Sequence, residues 1–266
     1  MRGRVVLVTG GARGIGRGIA EAFVKAGASV MVADLGDADT DWAYDLAGSD
    51  ELERTVAEQA KFGEVSAAQL DVTKKASCEA AVASTISTFG GLDVLVNNAG
   101  RVQSGATEYF SEADWDRIFA VNTKGIFLMT QAAIPALKKS AHAAIINTAS
   151  IAGKKGHARM AAYCGSKFAA IGITQSLAAE LAPKGITVNA ICPGMVGTAM
   201  WLEHLMPSNT ADEQDKDAEF TAAMRDTIPL GRPQTVQDMG EAAVYLAGAA
   251  NVTGISLTIA GGYEMN

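Results

Sequence analysis

The chain has 266 residues, 48% of them hydrophobic and 19% charged, enough apolar material for a sizeable core and too little charge for a disordered chain. Twenty-two basic against 29 acidic residues give a net charge of −7, with no lysine- or arginine-rich block to follow a phosphate backbone, so nucleic acid is not an expected partner. Three cysteines (Cys78, Cys164 and Cys192), odd in number and without a C-x-x-C, argue against a disulfide framework or a zinc site and fit a reducing cytoplasm.

In chain order, short β-branched runs alternate with longer segments of helical period. Met1-Arg2-Gly3-Arg4 precedes only the brief apolar run Val5–Val8, which ends at Thr9-Gly10 without a small-residue cleavage site, so no signal peptide is expected. Strands are predicted at Val5–Thr9, Ser29–Ala33, Val65–Leu70, Val94–Asn97, Ala144–Thr148, Thr187–Ile191 and Ser256–Ile259. Helices are predicted between them at Gly14–Ala26, Asp50–Phe62, Lys74–Phe89, Ser111–Lys138, Ala161–Leu181 and Thr235–Leu246. The strands are apolar on both faces, as a buried parallel sheet requires. About seven such strands with right-handed helical crossovers build one doubly wound α/β domain, with helices on both faces and no linker. The uncharged stretch from Ala242 to Tyr263 is long enough for a membrane span, but its glycines and Asn251, Thr253, Ser256 and Thr258 read as helix end, turn and buried strand. A soluble protein without membrane association is expected.

Two segments break the alternation. Leu35–Ser49 is acidic, polar and turn-rich where a short loop would suffice. Met200–Asp226 is a long irregular stretch after the sixth strand, at the sheet end where ligands bind in such folds, and is expected to be a substrate lid inserted at about 199–226. Its methionines and Trp201 either line an apolar substrate pocket or anchor the lid.

Thr9-Gly10-Gly11-Ala12-Arg13-Gly14-Ile15-Gly16 sits where the first strand turns into the first helix. Glycines there let a pyrophosphate approach free backbone N–H groups at the positive end of a helix dipole. Asp34 follows the second strand, where a carboxylate can accept bonds from both ribose hydroxyls of adenosine and repels a 2′-phosphate. Asn97-Asn98-Ala99-Gly100 closes the fourth strand; its amides can tie neighbouring strand ends, while Ala99 and Gly100 leave room for a sugar. Tyr163 and Lys167, four residues apart, share one helix face. An ammonium beside a phenol favours the phenolate over the usual value of about 10, making the tyrosine usable as a general acid or base. Ser150, at the end of the fifth strand, can bring a second hydroxyl to the same substrate oxygen. It lacks a G-x-S-x-G elbow, so a hydrolase triad is not supported. Cys164 has no histidine near it in sequence and reads as a packing residue. His142, His157 and His204 show no metal-like spacing, so no metal is expected and these read as surface or pocket-lining residues.

The spacing T-G-x-x-x-G-x-G together with Y-x-x-x-K resembles the short-chain dehydrogenases/reductases, and the resemblance runs from Val5 to about Gly262 in the expected order. It implies a Rossmann-type fold and a catalytic set of Asn122, Ser150, Tyr163 and Lys167, with Asn122 holding a water that links the lysine to solvent. It also implies a nicotinamide dinucleotide held by Gly10, Arg13, Gly14, Ile15, Gly16, Asp34, Leu35, Asp71, Val72, Asn98, Ala99 and Gly100. Tyr163, Lys167, Pro193, Gly194, Val196 and Thr198 complete that set. Asp71 and Val72 match residues that hold the adenine, and Val196 and Thr198 those that bond the nicotinamide carboxamide. Asp34 selects NAD, whereas Arg13 matches a basic residue of NADP-using relatives. The enlarged Leu35–Ser49 segment is similar to that of relatives acting on terpene alcohols such as carveol. The expected activity is interconversion of a secondary alcohol and a ketone. The alternatives are an NADPH-dependent 3-ketoacyl-type reductase and a non-catalytic NAD-binding protein. Relatives are commonly tetramers, so a homotetramer paired through Ser111–Lys138 and Ala161–Leu181 is expected.

Overall fold

The structure, a computed structural model, describes residues 1–36, 48–205 and 213–265. Seven strands, β1 (Val5–Thr9), β2 (Ser29–Asp34), β3 (Val65–Gln69), β4 (Val94–Asn97), β5 (Ala144–Thr148), β6 (Thr187–Pro193) and β7 (Ser256–Ile259), form one sheet in the order β3-β2-β1-β4-β5-β6-β7. Every pairing is parallel. The helices are α1 (Gly14–Lys25), α2 (Ser49–Gln59), α3 (Lys75–Phe89), α4 (Glu112–Phe119), α5 (Gly125–Leu137), α6 (Ala161–Leu181), α7 (Glu213–Thr227) and α8 (Val236–Gly248). This is the doubly wound α/β arrangement expected from the alternation, and the strand order reverses between β1 and β4.

The sheet separates two apolar layers, and successive residues of each central strand enter opposite ones. Val6 and Val8 of β1 join Ile19 and Phe23 of α1 and Met239 and Leu246 of α8. Leu7 joins Val82 of α3, Met129 and Leu137 of α5 and Leu181 of α6 on the other face. All five residues of β1 are buried, which is why the strand reads as a continuous apolar run instead of an alternation. The outermost strands differ from the expected buried type. Each has a neighbour on one side only, and β3 and β7 are half-exposed along most of their length.

Two expectations about the helices need correction. Ser111–Lys138 is interrupted by a π turn, Ala120–Lys124, between α4 and α5, and this wide turn carries Asn122 into the interior. Met200–Asp226, expected to be irregular, holds a π turn at Met200–Leu205 and the helix α7. Only a few apolar residues of α7, including Phe220 and Met224 one turn apart, face Met195 and Ile228, too sparse a stripe within a polar sequence to signal a helix. Most of the enlarged Leu35–Ser49 segment, residues 37–47, lies outside the described residues. Ala242–Tyr263 is the end of α8, a turn and β7, and among the described residues no helix is long and apolar enough to cross a membrane.

The packing of α1 on α8 requires missing side chains. A Cβ on Gly240 would lie 2.6 Å from Ala22 Cβ and 2.7 Å from the Gly18 carbonyl, and one on Gly18 would lie 2.6 Å from Val236. Gly240→Val is therefore expected to destabilise the fold by about 1–3 kcal/mol. Urea denaturation with an unchanged midpoint would contradict this packing.

Candidate active site

The carboxyl ends of β1 and β4–β6 open into a cleft of about 980 Å³. Every residue expected at the site lines it except Asn122, which is fully buried behind the wall.

At its floor the glycine turn takes a conformation that side chains resist. Gly10 has φ +62° and Gly14 φ +53°, both in the left-handed region. A Cβ on Gly10 would lie 2.8 Å from Ala99 Cα, and one on Gly16 would collide with the Gly10 carbonyl and the Asn98 amide. The Thr9 hydroxyl oxygen accepts the N–H groups of Asn98 and Ala99, each at 3.0 Å. The Asn98 amide donates to the carbonyls of Thr9 and Gly10 at 3.1 and 3.0 Å. These bonds tie the ends of β1 and β4, as the asparagine pair suggested. Arg13 caps α1 through extended backbone, without a side-chain cap among the described residues and without an acid in the first turn. The positive end of α1 thus faces the cleft with donors available to an anion.

Toward β2, Asp34 accepts the N–H groups of Ala12 (2.9 Å) and Leu35 (2.8 Å), one on each carboxylate oxygen. Burial raises its pKa above the usual carboxylate value despite those two bonds and the charge of Arg13. Glu51, in the first turn of α2, also lines the cleft and adds to the negative field at Asp34. The sequence reading missed Glu51, because only its position beside Asp34 distinguishes it from other acids of a helix start. Asp71 differs. Its burial works against charge, but bonds from the Thr73 hydroxyl and N–H and a 3.0 Å ion pair with Lys74 outweigh that and lower its pKa. Val72 beside it is buried.

At the opposite end, the turn after β5 and the start of α6 bring Ser150, Tyr163 and Lys167 to the cleft. Ser150 leaves β5 in extended conformation and its Oγ accepts the Ala152 N–H at 3.1 Å. Tyr163 stands in the first turn of α6, and Lys167 one turn later brings its Nζ to 5.7 Å from the tyrosine ring centroid. That Nζ donates to the Thr148 carbonyl at 2.9 Å. Burial pushes the Lys167 ammonium down to about 8, with only partial compensation from Cys192. A Cβ on Gly100 would lie 3.5 Å from Lys167 Nζ and 3.4 Å from Asn122 Oδ1, which places Gly100 between the two. The Asn122 side chain accepts the Arg101 N–H and donates to the Arg101 carbonyl and the Ser166 hydroxyl, at 2.8, 2.9 and 3.0 Å. It braces the strand end that carries Gly100.

The segment Pro193–Thr198 passes over this end of the cleft. Gln234 accepts the Met195 N–H on its side chain at 2.8 Å and donates its own N–H to the Met195 carbonyl at 3.0 Å. A Cβ on Gly194 would meet Gln234 Oε1 at 2.5 Å. Gln234 was also missed. The capping pair Thr235 and Asp238 is visible as a helix start, but nothing local marks the residue before it as the clamp of a loop 39 residues away. Of the histidines, His157 lines the cleft, His142 is exposed and the side chain of His204 lies outside the described residues. Among the described residues no three metal-ligating side chains cluster. All three cysteines are buried and unpaired.

Residues 4–206 match the profile described as short chain dehydrogenase. A 2-(S)-hydroxypropyl-CoM dehydrogenase 3 of Xanthobacter autotrophicus is 37% identical over 265 residues, 98% of this chain and 97% of that protein. The crystal structure of a 3-ketoacyl-(acyl-carrier-protein) reductase from Brucella melitensis complexed with NADH superposes with a TM-score of 0.84 at 32% identity, covering 99% of both chains. That of a carveol dehydrogenase from Mycobacterium avium in complex with NAD gives 0.89 at 26% identity, covering 99% and 98%.

The buried ammonium has a consequence for stability. A folded-state value of about 8 against an ordinary 10.5 means the unfolded chain binds the extra proton between those pH values, so native stability rises with pH across that window. Lys167→Met removes this dependence. The wild type is expected to gain up to about 3 kcal/mol relative to the variant between pH 8 and 10.5. Denaturation curves whose difference does not change with pH would refute the buried charge.

Proposed function

The chain belongs to the short-chain dehydrogenase family, and from that membership we propose an NAD-dependent oxidoreductase that interconverts a secondary alcohol and a ketone. The observation that carries this reading is the meeting of Ser150, Tyr163 and the buried Lys167 at one end of a cleft whose other end presents a glycine turn and Asp34. The cleft fits a dinucleotide. It offers an uncapped helix terminus for the pyrophosphate, and side chains at Gly10 and Gly16 would close it. Thr148 Oγ1, buried without a partner among the described residues, leaves a polar atom at the cleft wall.

In this reading Gly10, Arg13, Gly14, Ile15 and Gly16 hold the pyrophosphate, and Asp34, Leu35 and Glu51 face the adenosine ribose. Asp71 and Val72 flank the adenine. Asn98, Ala99, Gly100, Tyr163 and Lys167 surround the second ribose, and Pro193, Gly194, Val196 and Thr198 the carboxamide. Bound NAD supplies the hydride acceptor.

The chain's own residues handle the proton. Tyr163 as phenolate accepts it from the substrate hydroxyl, and the amino end of α6 and the Lys167 ammonium both favour that negative charge. Ser150 Oγ, oriented by the Ala152 N–H, donates to the substrate oxygen as negative charge develops there. Lys167 and Asn122 lie on either side of Gly100, and this neighbourhood supports a role for the pair in relaying the proton. Asp34 and Glu51 together oppose a 2′-phosphate, and this supports NAD over NADP and disfavours an NADPH-dependent 3-ketoacyl-type reductase. The packing of α7 on Met195 supports a substrate lid. Half-exposed Phe127 on α5 and Phe168 on α6 support a homotetramer paired through these helices.

Tyr163→Phe is expected to lower turnover by about a hundred- to ten-thousand-fold while the affinity for NAD, measured by fluorescence titration, changes little. Retained turnover would overturn the mechanism. Asp34→Ala is expected to raise kcat/KM with NADP relative to NAD by about tenfold or more, since removing one carboxylate near a phosphate is worth at least 1.4 kcal/mol or so. A wild type that already prefers NADPH would refute the cofactor assignment.

A further inference from the structure

We propose that the alcohol taken by this cleft is an apolar one, its carbinol carbon flanked by hydrocarbon, and not a polyol. This rests on the oxidoreductase reading and names its substrate class. The wall around Tyr163 is built from Ala152, Met160, Met195, Met200, Trp201 and Leu205, all of which line the cleft. Ala152, Met160, Met200 and Leu205 pack in one cluster with the tyrosine ring. Met195 and Trp201 continue the wall, backed by Phe220 and Met224 of α7, and the Trp201 and Phe220 rings lie 5.9 Å apart.

Several of the polar groups at this end are already assigned. Ser150 and Tyr163 address the single reacting oxygen, and Gln234 holds the backbone of Met195 on both sides. Within this wall of six residues the one side-chain hydrogen-bonding group is the indole N–H of Trp201, although the polar side chains of Arg101, Thr148, His157, Thr198 and Tyr263 also line the cleft. Thioether sulfur is a poor acceptor, so a hydroxyl entering between Met160 and Met200 gives up its water without replacement. A hydrocarbon flank meets no such penalty. Unbranched methionine side chains adapt to its outline, which points to rings and branched chains alike.

The test uses two probes with the same ring: cyclohexanol, and myo-inositol, which carries a hydroxyl on every carbon. Binding to the NAD complex of Tyr163→Phe is measured by calorimetry, where no turnover interferes, and oxidation by the wild type is followed separately. Cyclohexanol is expected to bind at least about tenfold more tightly than the inositol. Met200→Gln, checked for an unchanged circular dichroism spectrum, is expected to narrow that ratio by about threefold or more. An inositol that binds as well as cyclohexanol, a cyclohexanol that does not bind, or a ratio untouched by Met200→Gln overturns the assignment. If the binding ratio and its change hold while the wild type oxidises no secondary alcohol, the pocket assignment stands and the oxidoreductase reading falls.

Discussion

The site is organised around an ammonium group taken out of water. Lys167 is almost completely buried, and its charge is lowered to a pKa of about 8 because the surroundings solvate it less well than water does. One carbonyl, that of Thr148 at the end of β5, faces it at 2.9 Å. Holding the group there requires β5 and α6 to keep one register and Asn122 to fix the neighbouring backbone. Tyr163 acquires its position as a consequence, one helical turn before the lysine and inside the first turn of α6.

The two ends of the cleft are joined by rigid ties across the sheet. Thr9 and Asn98 bond the ends of β1 and β4 to each other, and Asn97 donates to Asn147 at 2.8 Å across β4 and β5. Asn147 continues to Thr174 of α6 at 2.9 Å. This chain of buried amides and hydroxyls fixes the lateral positions of three elements that contribute cleft residues, which non-directional apolar packing does less strictly. Asp34 and Glu51, with Arg13 beside Asp34, lie at one end of the cleft and Lys167 at the other. The helix terminus of α1 lies between them.

The legible part of the site had local signatures. The spacing of Tyr163 and Lys167 survives any tertiary detail because helix geometry places them on one face. The glycines from Gly10 to Gly16 were legible because backbone approach excludes side chains there. The less legible part depends on partners distant in the chain. Gln234 is an ordinary glutamine until it meets Met195, and Glu51 one of several acids until α2 is set beside Asp34. Asn122 was picked out by the family pattern, yet its side chain is committed to Arg101 and Ser166, which no local spacing announces. The π turn that carries it inward, and α7 with its sparse apolar stripe, were hidden because an amphipathic period averages over such local departures.

The sequence by itself determined the alternation of strands and helices, the doubly wound class and the residue types at the strand ends. Each of these follows from short-range periodicity or from steric limits on a few adjacent residues. Only the tertiary structure decided which strand ends converge, how deeply Lys167 is buried, and that the apolar side chains around Tyr163 come from the turn after β5, the residue before α6 and the segment after β6 together. Those outcomes depend on contacts between residues far apart in the chain, whose energies exist only once the sheet has brought them within a few ångströms.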